Sequence, residues 1–150
     1  MKARLIPYSY AIMKPMLDME DAVVKSGLEH SLIELVKMRA SQINGCAYCL
    51  DMHSKDAIKH GETMQRLVLL DAWRESPLYS DRERAALGWT EALTLVAQTH
   101  ADDRDFEPLK AQFTEEEIVK LTMLIVTINA WNRISIGFRS VHPVDKARAA

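Results

Sequence analysis

The stretch from Thr114 to Arg139 constrains this chain most. Thr114-Glu115-Glu116-Glu117 has the form of a capping box, in which the first side chain bonds the N–H three residues on and the glutamate bonds back. A long run follows that is apolar around much of a helical wheel: Ile118, Leu121, Leu124, Ile125, Val126, Ile128, Trp131 and Ile134. Such a helix has no single wet face. It must be buried centrally or pack against another subunit. The helix is expected over about 115–139, with a kink near Asn129. Its run Asn129-Ala130-Trp131-Asn132-Arg133 puts polar groups inside an apolar helix, and buried polar groups need hydrogen-bond partners.

The remaining segments carry the same period. A helix is expected from about Pro15 to Lys25, closed by Ser26-Gly27. Another runs from about Glu29 to Ile43 on Leu32, Leu35, Val36 and Ile43. Two capping boxes compete for its start, Ser26-x-x-Glu29 and Ser31-x-x-Glu34. Asn44-Gly45 signals a turn into a third helix, about Ala47 to His60, which Gly61 ends. A fourth is expected over about Thr63–Arg74, before Pro77. A fifth opens on the box Ser80-Asp81-Arg82-Glu83 and continues to about Thr99. His100–Asp105 reads as polar loop, and a short helix over about Phe106–Gln112 tolerates Pro108 in its first turn. Residues 1–8 read as an arm, and the tail after Val141 as loose. No alternating strand pattern occurs, so the expected class is all-α, with about six to seven helices in one domain spanning 1–150.

Charge and hydropathy exclude several functions. The formal net charge is -2, and no Lys/Arg block forms a phosphate-binding stripe, so no nucleic-acid partner is expected. No apolar run reaches the roughly 18 residues of a membrane span, so no membrane partner is expected. The N-terminus lacks the long apolar region of a signal peptide, and the reading is a cytoplasmic protein. In that compartment a lone Cys-x-x-Cys is catalytic or metal-binding more often than it is a structural staple.

The chain has two cysteines, in Gly45-Cys46-Ala47-Tyr48-Cys49-Leu50-Asp51-Met52-His53. At about 100° per residue, Cys46, Cys49 and His53 fall within roughly 60° on a helix. Cysteines at i and i+3 bring their Cα atoms to about 5 Å, within disulfide range. The helix N-terminus beside Cys46 favours thiolate, the attacking form of sulfur. An imidazole one turn after Cys49 can take and return a thiol proton. The dipole argues for Cys46 as nucleophile and the histidine for Cys49. Sulfenic acid on either would condense with the other to a disulfide, which a reductant then reopens. Two blander accounts stand beside this one. The cysteines can be inert core residues. They can also bind zinc, but that needs a fourth ligand, and His60, His100 and His142 have no telling spacing. His60 reads as a helix C-terminal histidine on the dipole. Met38 and Met52 read as adaptable core filler that can also line a site. Glu34 falls off the Leu32/Leu35/Val36 stripe, near Met38 and Ser41, and the third place of the Ser31 capping box would account for it.

The segment Glu34-Leu35-Val36-Lys37-Met38-Arg39-Ala40-Ser41-Gln42-Ile43-Asn44-Gly45-Cys46-Ala47-Tyr48-Cys49-Leu50-Asp51-Met52-His53 resembles the alkylhydroperoxidase AhpD-like group of the carboxymuconolactone decarboxylase superfamily. The shared pattern is Glu-x11-Cys-x2-Cys-x3-His, and every spacing matches. Ile128–Arg133 also looks like a stretch of the single-domain members. The family domain would cover roughly 15–100. The resemblance implies an all-helical homo-oligomer, trimer or hexamer, with its site near subunit contacts. It implies peroxidase chemistry on hydrogen or organic hydroperoxides, with Cys49 attacking, Cys46 resolving, and His53 and Glu34 relaying protons. The implied reductant is a dithiol, a lipoyl carrier or a thioredoxin-like protein, and no metal, flavin or haem cofactor is required. The best-studied members carry a second histidine between the cysteines. Here that place is Tyr48, which the wheel points away from the Cys46/His53 face. Two other classes remain: a non-redox decarboxylase or lactone-processing enzyme, whose family branch lacks the cysteine pair, and a non-catalytic redox sensor or helical assembly module.

Overall fold

The computed structural model describes residues 2–145. Among them the regular structure is entirely helical: α1 (Lys14–Val24), α2 (His30–Asn44), α3 (Ala47–Lys59), α4 (Met64–Leu69), α5 (Asp81–Thr94), α6 (Val96–Thr99), α7 (Asp103–Lys110) and α8 (Glu115–Phe138). The expected all-α class is what is found, with eight α-helices rather than six or seven. No described helix is long and apolar enough to cross a membrane.

The additional helix arises where the expected fifth helix breaks at Leu95, whose φ of −102° and ψ of 31° leave the helical region. The Thr99 hydroxyl donates to the Ala92 carbonyl at 2.6 Å. In an unbroken helix that carbonyl belongs to the Val96 N–H, so a side chain competes with the backbone there. The expected fourth helix is also shorter than its pattern. α4 stops at Leu69 and tightens into a 3-10 turn at Leu70–Ala72.

Helix ends follow local chemistry at α5 and α8. Ser80–Glu83 and Thr114–Glu117 both close complete capping boxes. α2 does not. It begins on Glu29 with no side-chain cap, so neither box proposed for it forms. Tertiary partners take both glutamates. Arg82 holds Glu29 at 2.8 and 3.1 Å, and His53 holds Glu34. The Ser26 hydroxyl is left buried without a partner among the described residues. At its other end α2 stops as expected. Gly45 adopts φ 68°, a left-handed turn that costs glycine little, and redirects the chain into α3.

α2 is the central helix. It packs against α3, α5 and α8, and every residue from Leu32 to Met38 is buried. Full burial of Leu35 and Val36 stabilises the fold by about 1.5–3 kcal/mol each. One core cluster joins Ile33 and Val36 to Ala86, Trp89, Leu109, Leu121 and Ile125. A second joins Leu35 and Met38 to Ala57, Leu67, Leu70 and Leu87. The long α8 lies on one flank of α2 and keeps Val119, Met123 and Val126 exposed, so of the two alternatives its composition left open, central burial within the chain is not the one found.

The polar run in α8 is satisfied by hydrogen bonds to neighbouring helices, as its burial requires. Asn44 Nδ2 donates to Asn129 Oδ1 at 3.0 Å and to Asn132 Oδ1 at 2.9 Å. Asn132 Nδ2 donates to Ser41 Oγ, and Asn129 Nδ2 to Thr94 Oγ1, both at 3.0 Å. This ladder fixes the end of α2, and with it the start of α3, against α8. The N-terminal arm is pinned by Arg4, whose backbone N–H donates to the Phe138 carbonyl at 2.9 Å. Residues 141–145 form no regular structure, and the rest of the expected loose tail, 146–150, lies outside the described residues.

Candidate active site

Cys46 is the N-cap of α3, in extended backbone at φ −87° and ψ 93°. Its position is set by the Gly45 turn and by its N–H, which donates to the Ser41 carbonyl at 3.0 Å. Cys49 sits in the first turn. The two are joined as a disulfide with Cα atoms 5.4 Å apart, within the range expected from their spacing. The Cys49 N–H points at the Cys46 sulfur at 3.4 Å. Both residues are buried, and His53 is buried one turn further along the same face.

Glu34 reaches this face from α2. Its Oε2 lies 3.0 Å from His53 Nδ1, and both side chains are buried. Burial raises the carboxyl's pKa. The hydrogen bond and charge of His53, with the charges of Lys37 and His30, outweigh it and hold Glu34 below its ordinary value. An ionised carboxylate only accepts, so Nδ1 carries the proton and donates. That tautomer leaves Nε2 as a basic nitrogen on the other side of the ring. The four residues of the sequence pattern thus lie in one neighbourhood: two sulfurs, an imidazole and a carboxylate.

Three of them, Cys49, His53 and Glu34, line a cavity of about 470 Å³, and Cys46 is not part of the lining. The wheel set Tyr48 aside, yet it lines the cavity. It lies about 100° round α3 from Cys49. The cavity is closed there by other parts of the chain, Tyr8 from the arm and Ser135 from α8, so a long phenol off the cysteine stripe still reaches it. Leu17, Val24, Met52 and Trp131 supply the apolar part of the lining.

Sequence reasoning missed a partly buried ion pair among the residues that line the cavity. The Lys37 ammonium, 4% exposed, pairs with Glu20 of α1, and Glu20 Oε2 accepts from Trp131 Nε1 at 3.0 Å. Lys37 comes three residues after Glu34, which reads as a solvated i,i+3 pair. Nothing local marks Glu20. Only the unusual Trp131 run gave a signal. His60 was read as a C-terminal histidine, and it does bond the last turn: its ring N–H donates to the Asp56 carbonyl at 2.7 Å. It also stacks on His30, with ring centroids 4.0 Å apart, and both line the cavity. Among the described residues no three His, Cys, Asp or Glu side chains converge as a metal site.

Comparison with known proteins agrees with this architecture. Residues 10–92 match the Carboxymuconolactone decarboxylase family. The uncharacterized protein YdfG of Bacillus subtilis is 45% identical over 125 residues, 83% of this chain and 85% of that one. The uncharacterized protein YnjA of Escherichia coli is 34% identical over 101 residues, 67% of this chain and 55% of its own length. A solved structure from Agrobacterium tumefaciens, a protein of unknown function regarded as a candidate AhpD antioxidant defence protein, superposes with a TM-score of 0.93. It is 49% identical, over 96% of this chain and 100% of that chain. Helical class, matched residues and near-complete superposition agree: the chain belongs to the carboxymuconolactone decarboxylase family and is AhpD-like within it.

Proposed function

We propose that this protein is a thiol-dependent peroxidase that reduces hydroperoxides through Cys49 and Cys46. The observation that carries the reading is the buried His53–Glu34 pair at 3.0 Å, opening with Cys49 onto one cavity. In the dithiol form, His53 Nε2 takes the Cys49 proton. The thiolate attacks the terminal peroxide oxygen, and the O–O bond breaks. The departing alkoxide leaves as an alcohol with the proton returned by His53, and Cys49 becomes a sulfenic acid. The Cys46 thiol then attacks that sulfur. A disulfide forms, and the hydroxyl leaves as water with the Cys46 proton. Two electrons from an external dithiol reopen the disulfide by exchange, and the dithiol ends oxidised. A lipoyl carrier or a thioredoxin-like protein is the reductant class this reading takes. The protein acts in the cytoplasm as a homo-oligomer built from one domain per chain.

Cavity access favours Cys49 as the attacking sulfur, since Cys46 is not in the lining. The test is single-turnover oxidation by an organic hydroperoxide, followed by steady-state turnover with dihydrolipoamide. Cys49→Ser should abolish both. Cys46→Ser should consume one equivalent of peroxide, leave a trappable sulfenic acid, and then stop. Full turnover by Cys49→Ser would sink the reading.

A further inference from the structure

The outer face of α8 is apolar where a surface helix is ordinarily polar. Val119 is 63% exposed, Met123 41% and Val126 47%, and Ala130 continues the line half-buried. These positions step by 4, 3 and 4 residues, the alternation of a coiled-coil seam. One step of three beyond each end stands a charged residue, Glu116 and Arg133, both exposed. The seam is additional to the core face of the helix, which Leu121, Leu124, Ile125 and Ile128 supply. A trough runs beside it. One part, about 780 Å³, lies between α7 and α8 and includes Phe106, Val119 and Met123. The other, about 370 Å³, includes Leu93, Val96, Val126 and Ala130. Thr122 lines both, so the trough is continuous along α8.

We infer that this face binds the same face of a second copy of the chain, with the two α8 helices antiparallel about a twofold axis. The sequence of the seam is self-complementary in that direction alone. Antiparallel pairing sets Val119 opposite Ala130, Met123 opposite Val126, and Glu116 opposite Arg133, each twice. Parallel pairing sets Glu116 against Glu116 and Arg133 against Arg133, and like charges there repel. The antiparallel arrangement also opposes the helix dipoles. An isologous contact of this kind builds assemblies with an even number of chains, a dimer or a hexamer of paired trimers.

The test is light scattering coupled to size-exclusion chromatography on the full chain. The wild type is expected at an even multiple of the chain mass. Val126→Glu is expected to halve that mass while circular dichroism stays native. Glu116→Arg alone should weaken assembly, and combining it with Arg133→Glu should restore it. The charge pair tests the same contact at two exposed sites if Val126→Glu fails to fold. A wild-type monomer or trimer, an unchanged mass in a folded Val126→Glu variant, or a charge reversal that restores nothing would overturn the inference. None of these outcomes depends on whether the chain reduces peroxides.

Discussion

Glu34 and His53 are nineteen residues apart in the chain, yet their side chains meet at 3.0 Å inside the protein. One belongs to the central helix, the other to the helix that carries the cysteines. The carboxylate fixes which ring nitrogen holds the proton and leaves the other nitrogen free. Glu34→Gln retains the shape and loses the charge. Turnover is expected to fall about ten- to a hundredfold, near the lower end of what general acid–base catalysis supplies, with the fold intact. Steady-state kinetics of both proteins, with circular dichroism to confirm the fold, would check this, and unchanged turnover would remove Glu34 from the relay.

Trp131 lines the same cavity as Cys49 and donates to Glu20. On the proposed peroxidase reading, a bulky organic hydroperoxide would rest on that indole, whereas hydrogen peroxide is too small to use it. Trp131→Ala is expected to lower kcat/KM for the bulky substrate roughly tenfold and to leave hydrogen peroxide reduction near wild type. Equal losses for the two substrates would mean that the indole holds the fold rather than the substrate.

Asn132 is fully buried and bonds both Ser41 and Asn44. Asn132→Leu breaks both bonds at once: the buried Ser41 hydroxyl loses this donor, and Asn44 keeps only its bond to Asn129. The expected cost is about 2–3 kcal/mol, seen as a drop of roughly 5–10 °C in Tm. A melting curve within a degree of wild type would show that water or rotation satisfies those groups.

Glu117 gives the pH dependence of stability a defined window. Its hydrogen bond from Arg82, and then that from the Thr114 N–H, lower its pKa from 4.5 to about 2. A carboxyl depressed on folding stabilises fully above its unfolded value and loses that contribution as pH falls through its folded one. Glu117→Gln should therefore be less stable than wild type at neutral pH, and the gap should close as the pH falls from 4.5 toward 2. Thermal melts of both proteins across that window check it. A gap that stays constant would mean that the Glu117 charge contributes nothing.

Sequence alone determined the features whose interactions span a single helical turn. The capping boxes at Ser80 and Thr114, the stop at Gly45, and the shared face of Cys46, Cys49 and His53 all depend on residues three or four apart. Helical geometry brings such residues together whatever the rest of the chain does. Tertiary structure decided the features that depend on which helix lies against which. α2 is buried all round from Leu32 to Met38, and that turned Glu34 from a reasonable cap into the partner of His53 and left both proposed caps of α2 unmade. Lys37 and Glu20 became a partly buried pair because the packing of α1 on α8 brings Glu20 within reach of α2. Tyr48 reached the cavity because the arm and α8 close it around the phenol. Burial is a property of packed elements, and a wheel drawn for one helix carries no information about what packs against it.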